Sequence, residues 1–151
     1  MALRNFLHQI TYRTNSLPHL QNLLRNYSSN MTGKLNIIEY ENLKDKVLDG
    51  EITLIDVREP AELKDEGKIP KSINIPLGQI VDAFKMAESD FSYKYGVPKP
   101  DAEFDTFVLS CRSGKRATDA FQKLSSLGYS NMSVYSGSFQ DWVKQGGPVE
   151  K

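Results

Sequence analysis

Phe107-Val108-Leu109-Ser110-Cys111-Arg112-Ser113-Gly114-Lys115-Arg116-Ala117 decides how this chain is read. Its first three residues are an apolar, β-prone run and a short polar loop follows. Ala117, Ala120, Phe121 and Leu124 then recur at i, i+3, i+4 and i+7, the period of one helix face. The stretch predicts strand, loop, helix, with the chain's one cysteine at the end of the strand. Backbone N–H groups in a loop that opens a helix have no intrahelical partner, and with the helix dipole they make a concave anion site. Free cysteine titrates near ~8.5, and cysteines in such settings with basic neighbours titrate at roughly 3.5 to 7.5. Arg112, Lys115 and Arg116 supply the basic neighbours, and Gly114 permits a backbone conformation that other residues resist. The loop therefore predicts a nucleophile, Cys111, inside an anion site formed by Arg112, Ser113, Gly114, Lys115 and Arg116. The competing reading is an inert core cysteine, because free cysteine is among the most buried residue types. Three cations crowded into one loop would do nothing for such a residue.

Working outward, Ile37-Ile38 is a short apolar run, and Tyr40, Leu43, Val47 and Leu48 fall at helical spacing before the stop signal Asp49-Gly50. Ile52-Thr53-Leu54-Ile55-Asp56-Val57 is nearly continuous in apolar, β-branched residues, as suits a strand buried on both faces. Pro60 opens a brief helix that runs toward Gly67, and a short strand lies between Pro70 and Pro76. Residues 79–105 are the least regular part. Ile80, Val81, Phe84 and Met86 fit one helix, and Tyr95-Gly96-Val97-Pro98-Lys99-Pro100 reads as loop. Beyond Gly128, Met132-Ser133-Val134-Tyr135 makes another strand, Phe139 to Val143 makes a last helix containing Trp142, and Gly146-Gly147-Pro148 closes the domain. Strands alternating with helices predict an α/β fold: a parallel sheet with helices on both faces and binding loops at the carboxyl ends of its strands.

Composition bounds the rest. The chain has 151 residues, 39% hydrophobic and 25% charged, which is enough for one domain with an ordinary core. It holds no run of eighteen apolar residues that would span a membrane. One cysteine excludes an internal disulfide and suits a reducing compartment. The formal net charge is zero, yet residues 1–38 carry Arg4, Arg13, Arg25 and Lys34 and no acid. There Leu3, Phe6, Leu7 and Ile10 would share one helix face. An amphipathic, acid-free segment rich in Arg, Ser and Asn predicts a mitochondrial transit peptide over residues 1–30. Arg25-Asn26-Tyr27-Ser28 resembles a processing site of arginine, any residue, an aromatic and a small residue. Translation from Met31 would yield the same domain without the targeting segment, a cytosolic form.

The only histidines, His8 and His19, lie in that segment. The domain that follows therefore has no histidine for Cys-His or Ser-His-Asp catalysis and no Cys/His cluster for zinc. It lacks phosphate-loop and dinucleotide fingerprints, and without a basic stripe it does not read as a nucleic-acid binder. A nucleophilic Cys111 has to work without a histidine base.

Six pieces, in this order, resemble the motifs of a rhodanese domain over residues 38–149: Asp56-Val57-Arg58-Glu59; Gly67-Lys68-Ile69-Pro70-Lys71-Ser72-Ile73-Asn74-Ile75-Pro76; Cys111-Arg112-Ser113-Gly114-Lys115-Arg116-Ala117; Gly128-Tyr129; Tyr135-Ser136-Gly137-Ser138; and Trp142 with Gly147-Pro148. With Phe91 to Pro100 included, the chain looks most like single-domain eukaryotic thiosulfate sulfurtransferases, among them thiosulfate:glutathione sulfurtransferases and an insect heat-shock-type rhodanese. The resemblance implies a rhodanese-like, five-stranded parallel sheet and a sulfurtransferase in which Cys111 becomes a persulfide. Thiosulfate would be the donor, in preference to mercaptopyruvate, and glutathione or cyanide the acceptor, with no metal, cofactor or second cysteine in the cycle. It also implies that Asp56 and Arg58 pair structurally. Ser136-Gly137-Ser138 departs from the family, which more often has two adjacent glycines there. Two rivals stand beside this reading. A cell-division-cycle-type phosphatase shares the architecture, but its loop has five residues between cysteine and arginine, whereas four separate Cys111 from Arg116. A rhodanese-like module that only binds would need neither the cysteine nor its basic loop.

Overall fold

The computed structural model describes residues 34–151; the expected transit segment and Met31 lie outside the described residues. Five strands, β1 (Ile37–Ile38), β2 (Thr53–Asp56), β3 (Ile73–Asn74), β4 (Phe107–Ser110) and β5 (Met132–Tyr135), form one sheet in the order β1-β5-β4-β2-β3. Every neighbouring pair is parallel. Among the described residues six helices accompany them: α1 (Tyr40–Leu48), α2 (Pro60–Glu66), α3 (Ile80–Lys85), α4 (Glu88–Tyr95) and α5 (Lys115–Ser126) between strands and α6 (Ser138–Lys144) after the last, with a 3-10 turn at Leu77–Gln79.

The central strand is β4, and all four of its residues are buried. It lies between β2, where Leu54 faces Val108 and Ile55 faces Leu109, and β5, where Met132 faces Phe107. Alternate side chains on a strand enter opposite faces. Phe107 and Leu109 accordingly join a cluster with Phe84, Phe91, Phe121 and Leu124 from α3, α4 and α5. Val108 joins the other cluster, with Leu43 and Val47 of α1 and Phe139 and Trp142 of α6. Burial on both faces is why the strands read as apolar runs rather than as alternating ones. Cys111 is the first residue beyond the carboxyl end of this central strand.

Local chemistry sets the helix ends. Pro60 occupies the start of α2, where its missing N–H is no loss, and the Glu59 N–H donates to the Glu62 carboxylate at 2.9 Å. The apolar pattern predicts a single helix through Ile80, Val81, Phe84 and Met86, but the structure has two helices before the Tyr95–Pro100 loop. The first, α3, stops at Lys85 because Met86 turns extended. The second, α4, runs from Glu88 to Tyr95 and buries only Phe91, too little to make an apolar stripe.

Candidate active site

Cys111 is delivered by β4 to a loop whose geometry is fixed from two sides. Gly114, at the start of α5, has φ +103°, and a Cβ there would collide with the Ser136 carbonyl, so only glycine fits. That conformation turns the Gly114 N–H onto the Cys111 Sγ at 3.0 Å. From the other side, the first turn of α6 grips the loop's carbonyls. The Phe139 N–H donates to the Cys111 carbonyl and the Gln140 N–H to the Arg112 carbonyl, each at 3.0 Å. The Cys111 N–H donates to the Ser138 hydroxyl, also at 3.0 Å. α6 is itself tied to the sheet by the Tyr135 hydroxyl, which donates to Asp141 at 2.6 Å. Burial, and then that carboxylate, raise Tyr135 above the ordinary phenol range, so it stays a neutral donor.

Cys111 is 1% exposed, which by itself also suits an inert core thiol. The Gly114 N–H aimed at its sulfur is a polar contact that a thiol packed only among apolar side chains would lack.

The structure distinguishes the three cations of the loop. Arg116 makes a bidentate pair with Glu62 of α2, at 2.6 and 2.8 Å. This pairing holds the Glu62 carboxyl at about 2, below its ordinary value near 4.5, against the opposing effect of burial; the same pairing raises Arg116. Arg112 is exposed and reaches Glu66 of α2 at 3.1 Å. Lys115 is exposed and, among the described residues, has no ion-pair or hydrogen-bond partner. Ser113 is exposed beside it. Glu62, Glu66 and Ser138 are residues of this neighbourhood that the sequence reading did not assign to the site. Ser138 carried a signal, the break in the two-glycine pattern. Glu62 and Glu66 carried none beyond a helix-capping spacing.

Behind the loop, Arg58 is fully buried and serves as a strut. Its Nη2 donates to Asp56 at 2.7 Å and to the Gly67 carbonyl at 2.9 Å, its Nη1 reaches Glu66 at 3.3 Å, and its guanidinium lies 4.1 Å from the Phe139 ring centre. Asp56 and Arg58 pair structurally, as expected, and Glu66 links that strut to Arg112. An open cleft of about 530 Å³ lies elsewhere, at the amino ends of β2 and β4, lined by Thr53, Phe107, Pro98 and Asp105 among others. It contains no cysteine or histidine.

A parallel sheet whose central strand hands a cysteine to a glycine-turned loop opening a helix defines an α/β protein with a cysteine-centred loop at the carboxyl edge of its sheet. The chain belongs to the rhodanese-like domain family, whose model matches residues 39–145. It is 44% identical over 99 residues to the thiosulfate:glutathione sulfurtransferase of Saccharomyces cerevisiae, covering 66% of this chain and 70% of that protein. It is 38% identical over 112 residues to the mitochondrial thiosulfate sulfurtransferase RDL2 of the same yeast, covering 74% and 69%. Among solved structures, the human single-domain sulfurtransferase TSTD1 superposes with a TM-score of 0.68 at 30% identity, covering 74% of this chain and 98% of that one.

Proposed function

We propose that this chain is a thiosulfate sulfurtransferase that carries a sulfane sulfur on Cys111 and passes it to a thiol such as glutathione, or to cyanide. The observation that carries the proposal is the Gly114 N–H directed at the Cys111 sulfur from a loop that also presents an unpaired lysine. The names of the yeast relatives support the substrate class. In the first half-reaction the Cys111 thiolate attacks the outer sulfur of thiosulfate. The sulfur–sulfur bond of the donor breaks, its electron pair leaves with sulfite, and a Cys111 persulfide anion remains. In the second, a thiolate or cyanide attacks the outer sulfur of that persulfide and regenerates the Cys111 thiolate. Charge balances in both steps, and neither requires an oxidant or a proton donor.

Bringing a dianion to a thiolate is repulsive. At an effective dielectric near 20, each unit-charge pair about 4 Å apart opposes approach by roughly 4 kcal/mol. The loop N–H groups offset part of this, and Lys115 is the cation best placed to offset more, since Arg112 and Arg116 are engaged by Glu66 and Glu62. Ser113 and Gly114 complete the cradle, with Arg112 and Arg116 holding it against α2. Residues 1–30 address the enzyme to the mitochondrial matrix, in keeping with the mitochondrial relative, and a start at Met31 gives a cytosolic form. The test is steady-state turnover of thiosulfate with glutathione and with cyanide, following sulfite and thiocyanate. Wild type should release both products and Cys111→Ser neither; equal turnover by the two proteins would overturn the proposal.

A further inference from the structure

We infer that Ser138 is a positioning residue for Cys111, whose hydroxyl anchors the cysteine's peptide and provides its sulfur with a second donor. The inference rests on the proposed sulfur transfer through Cys111. Ser138 is one of two non-glycine residues with positive φ among the described residues, at +53°, and it is completely buried. That backbone conformation is free to glycine and strained for serine, and strain of this kind persists where the surroundings over-determine it. Glycine is also the residue that the family pattern more often places in this turn. A serine kept in a glycine's conformation needs a reason in its side chain.

The hydroxyl supplies one. It accepts the Cys111 N–H at 3.0 Å, it lies 2.8 Å from the Tyr135 carbonyl, and it lies 3.8 Å from the Cys111 Sγ. A hydroxyl has one proton and two lone pairs. One lone pair holds the Cys111 N–H, which would otherwise be buried without a partner. The single proton has two acceptors in reach, the Tyr135 carbonyl and the sulfur. A more negative sulfur draws the proton toward itself, and a neutral one releases it to the carbonyl. Ser138-Phe139-Gln140 thus hold both sides of the cysteine: Ser138 takes its N–H, while Phe139 and Gln140 take the carbonyls of Cys111 and Arg112. The Gly114 N–H reaches the sulfur from the opposite end of the loop.

Comparing Ser138→Gly with Ser138→Ala separates backbone from hydroxyl, since glycine relieves the positive φ and alanine does not, while both lose the oxygen. Ser138→Gly should melt above Ser138→Ala, because both leave the Cys111 N–H without its partner and only glycine relieves the positive φ, and it should show kcat for thiosulfate about tenfold lower with KM changed less than about twofold. Ser138→Ala should show the same kinetic loss at a lower melting temperature. Iodoacetamide, which reads the one cysteine without any sulfur transfer, should label both variants about fivefold more slowly than wild type at pH 7.5. Wild-type kcat and labelling rate in Ser138→Gly would overturn the inference. So would a kcat loss matched by an equally raised KM, the pattern of a purely structural residue. If wild type itself failed to turn over thiosulfate, the sulfurtransferase reading would fall, and the labelling rates would still decide the role of Ser138.

Discussion

Lys115 and Arg112 are both exposed cations beside Cys111, but only Arg112 has a carboxylate neighbour, Glu66. Lys115→Ala is therefore expected to lower kcat/KM for thiosulfate tenfold to a hundredfold, roughly 1.4 to 2.7 kcal/mol. The loss should be largest at low salt, where screening is weakest. Arg112→Ala should cost less than Lys115→Ala under the same conditions. Equal, negligible effects of the two at low ionic strength would mean that the anion site rests on the backbone alone. Gly114→Ala should abolish turnover outright, because the new methyl group meets the Ser136 carbonyl and the residue would have to hold φ +103°. The strand, loop and helix around Cys111 could be read from sequence because they are contiguous there. Glu62 and Glu66 could not, since Glu62 is 54 residues from its partner Arg116 and only the order of strands brings the two together.

At the scale of elements, α2 acts as a clamp on the start of α5 through Glu62–Arg116 and on the loop through Glu66–Arg112. Because Arg116 lowers the folded-state value of Glu62 to about 2 from near 4.5, its contribution to stability is fully present above about 4.5. It is lost as pH falls from there toward 2. For a partly exposed pair this is on the order of 1 kcal/mol. Chemical denaturation of wild type and Glu62→Gln should show a stability gap at pH 7 that narrows below about pH 4.5 and closes toward pH 2; a gap unchanged across that window would remove the pair from the acid response. The α-helical periods of α1 and α5 were legible because each buries a stripe of side chains. α4 was not, because Phe91 alone is buried in its eight residues. The register of α6 against the loop was equally hidden, because it depends on backbone hydrogen bonds from Phe139 and Gln140 rather than on side-chain pattern.

For the whole molecule, the apolar runs at Ile52–Val57 and Phe107–Leu109 announced a parallel sheet covered on both faces, and the structure has one. Its order, β1-β5-β4-β2-β3, was not legible, because side-chain pattern records burial and not which buried strand is the neighbour. That order puts β4 at the centre and leaves Cys111 at the carboxyl edge of the sheet, between the α2 side and the α6 side. In the proposal, residues 1–30 serve as an address. A chain starting at Met31 should keep full sulfurtransferase activity, and the protein purified from mitochondria should begin within a few residues of Ser28; an inactive Met31 form would show that the segment contributes to the enzyme itself. The central claim, a sulfur carried on Cys111, is tested most directly by intact mass after brief exposure to thiosulfate without acceptor. With a single cysteine in the chain, wild type should gain the mass of one sulfur atom, lose it on addition of glutathione, and gain nothing as Cys111→Ser. An unchanged wild-type mass under conditions of active turnover would contradict the persulfide mechanism.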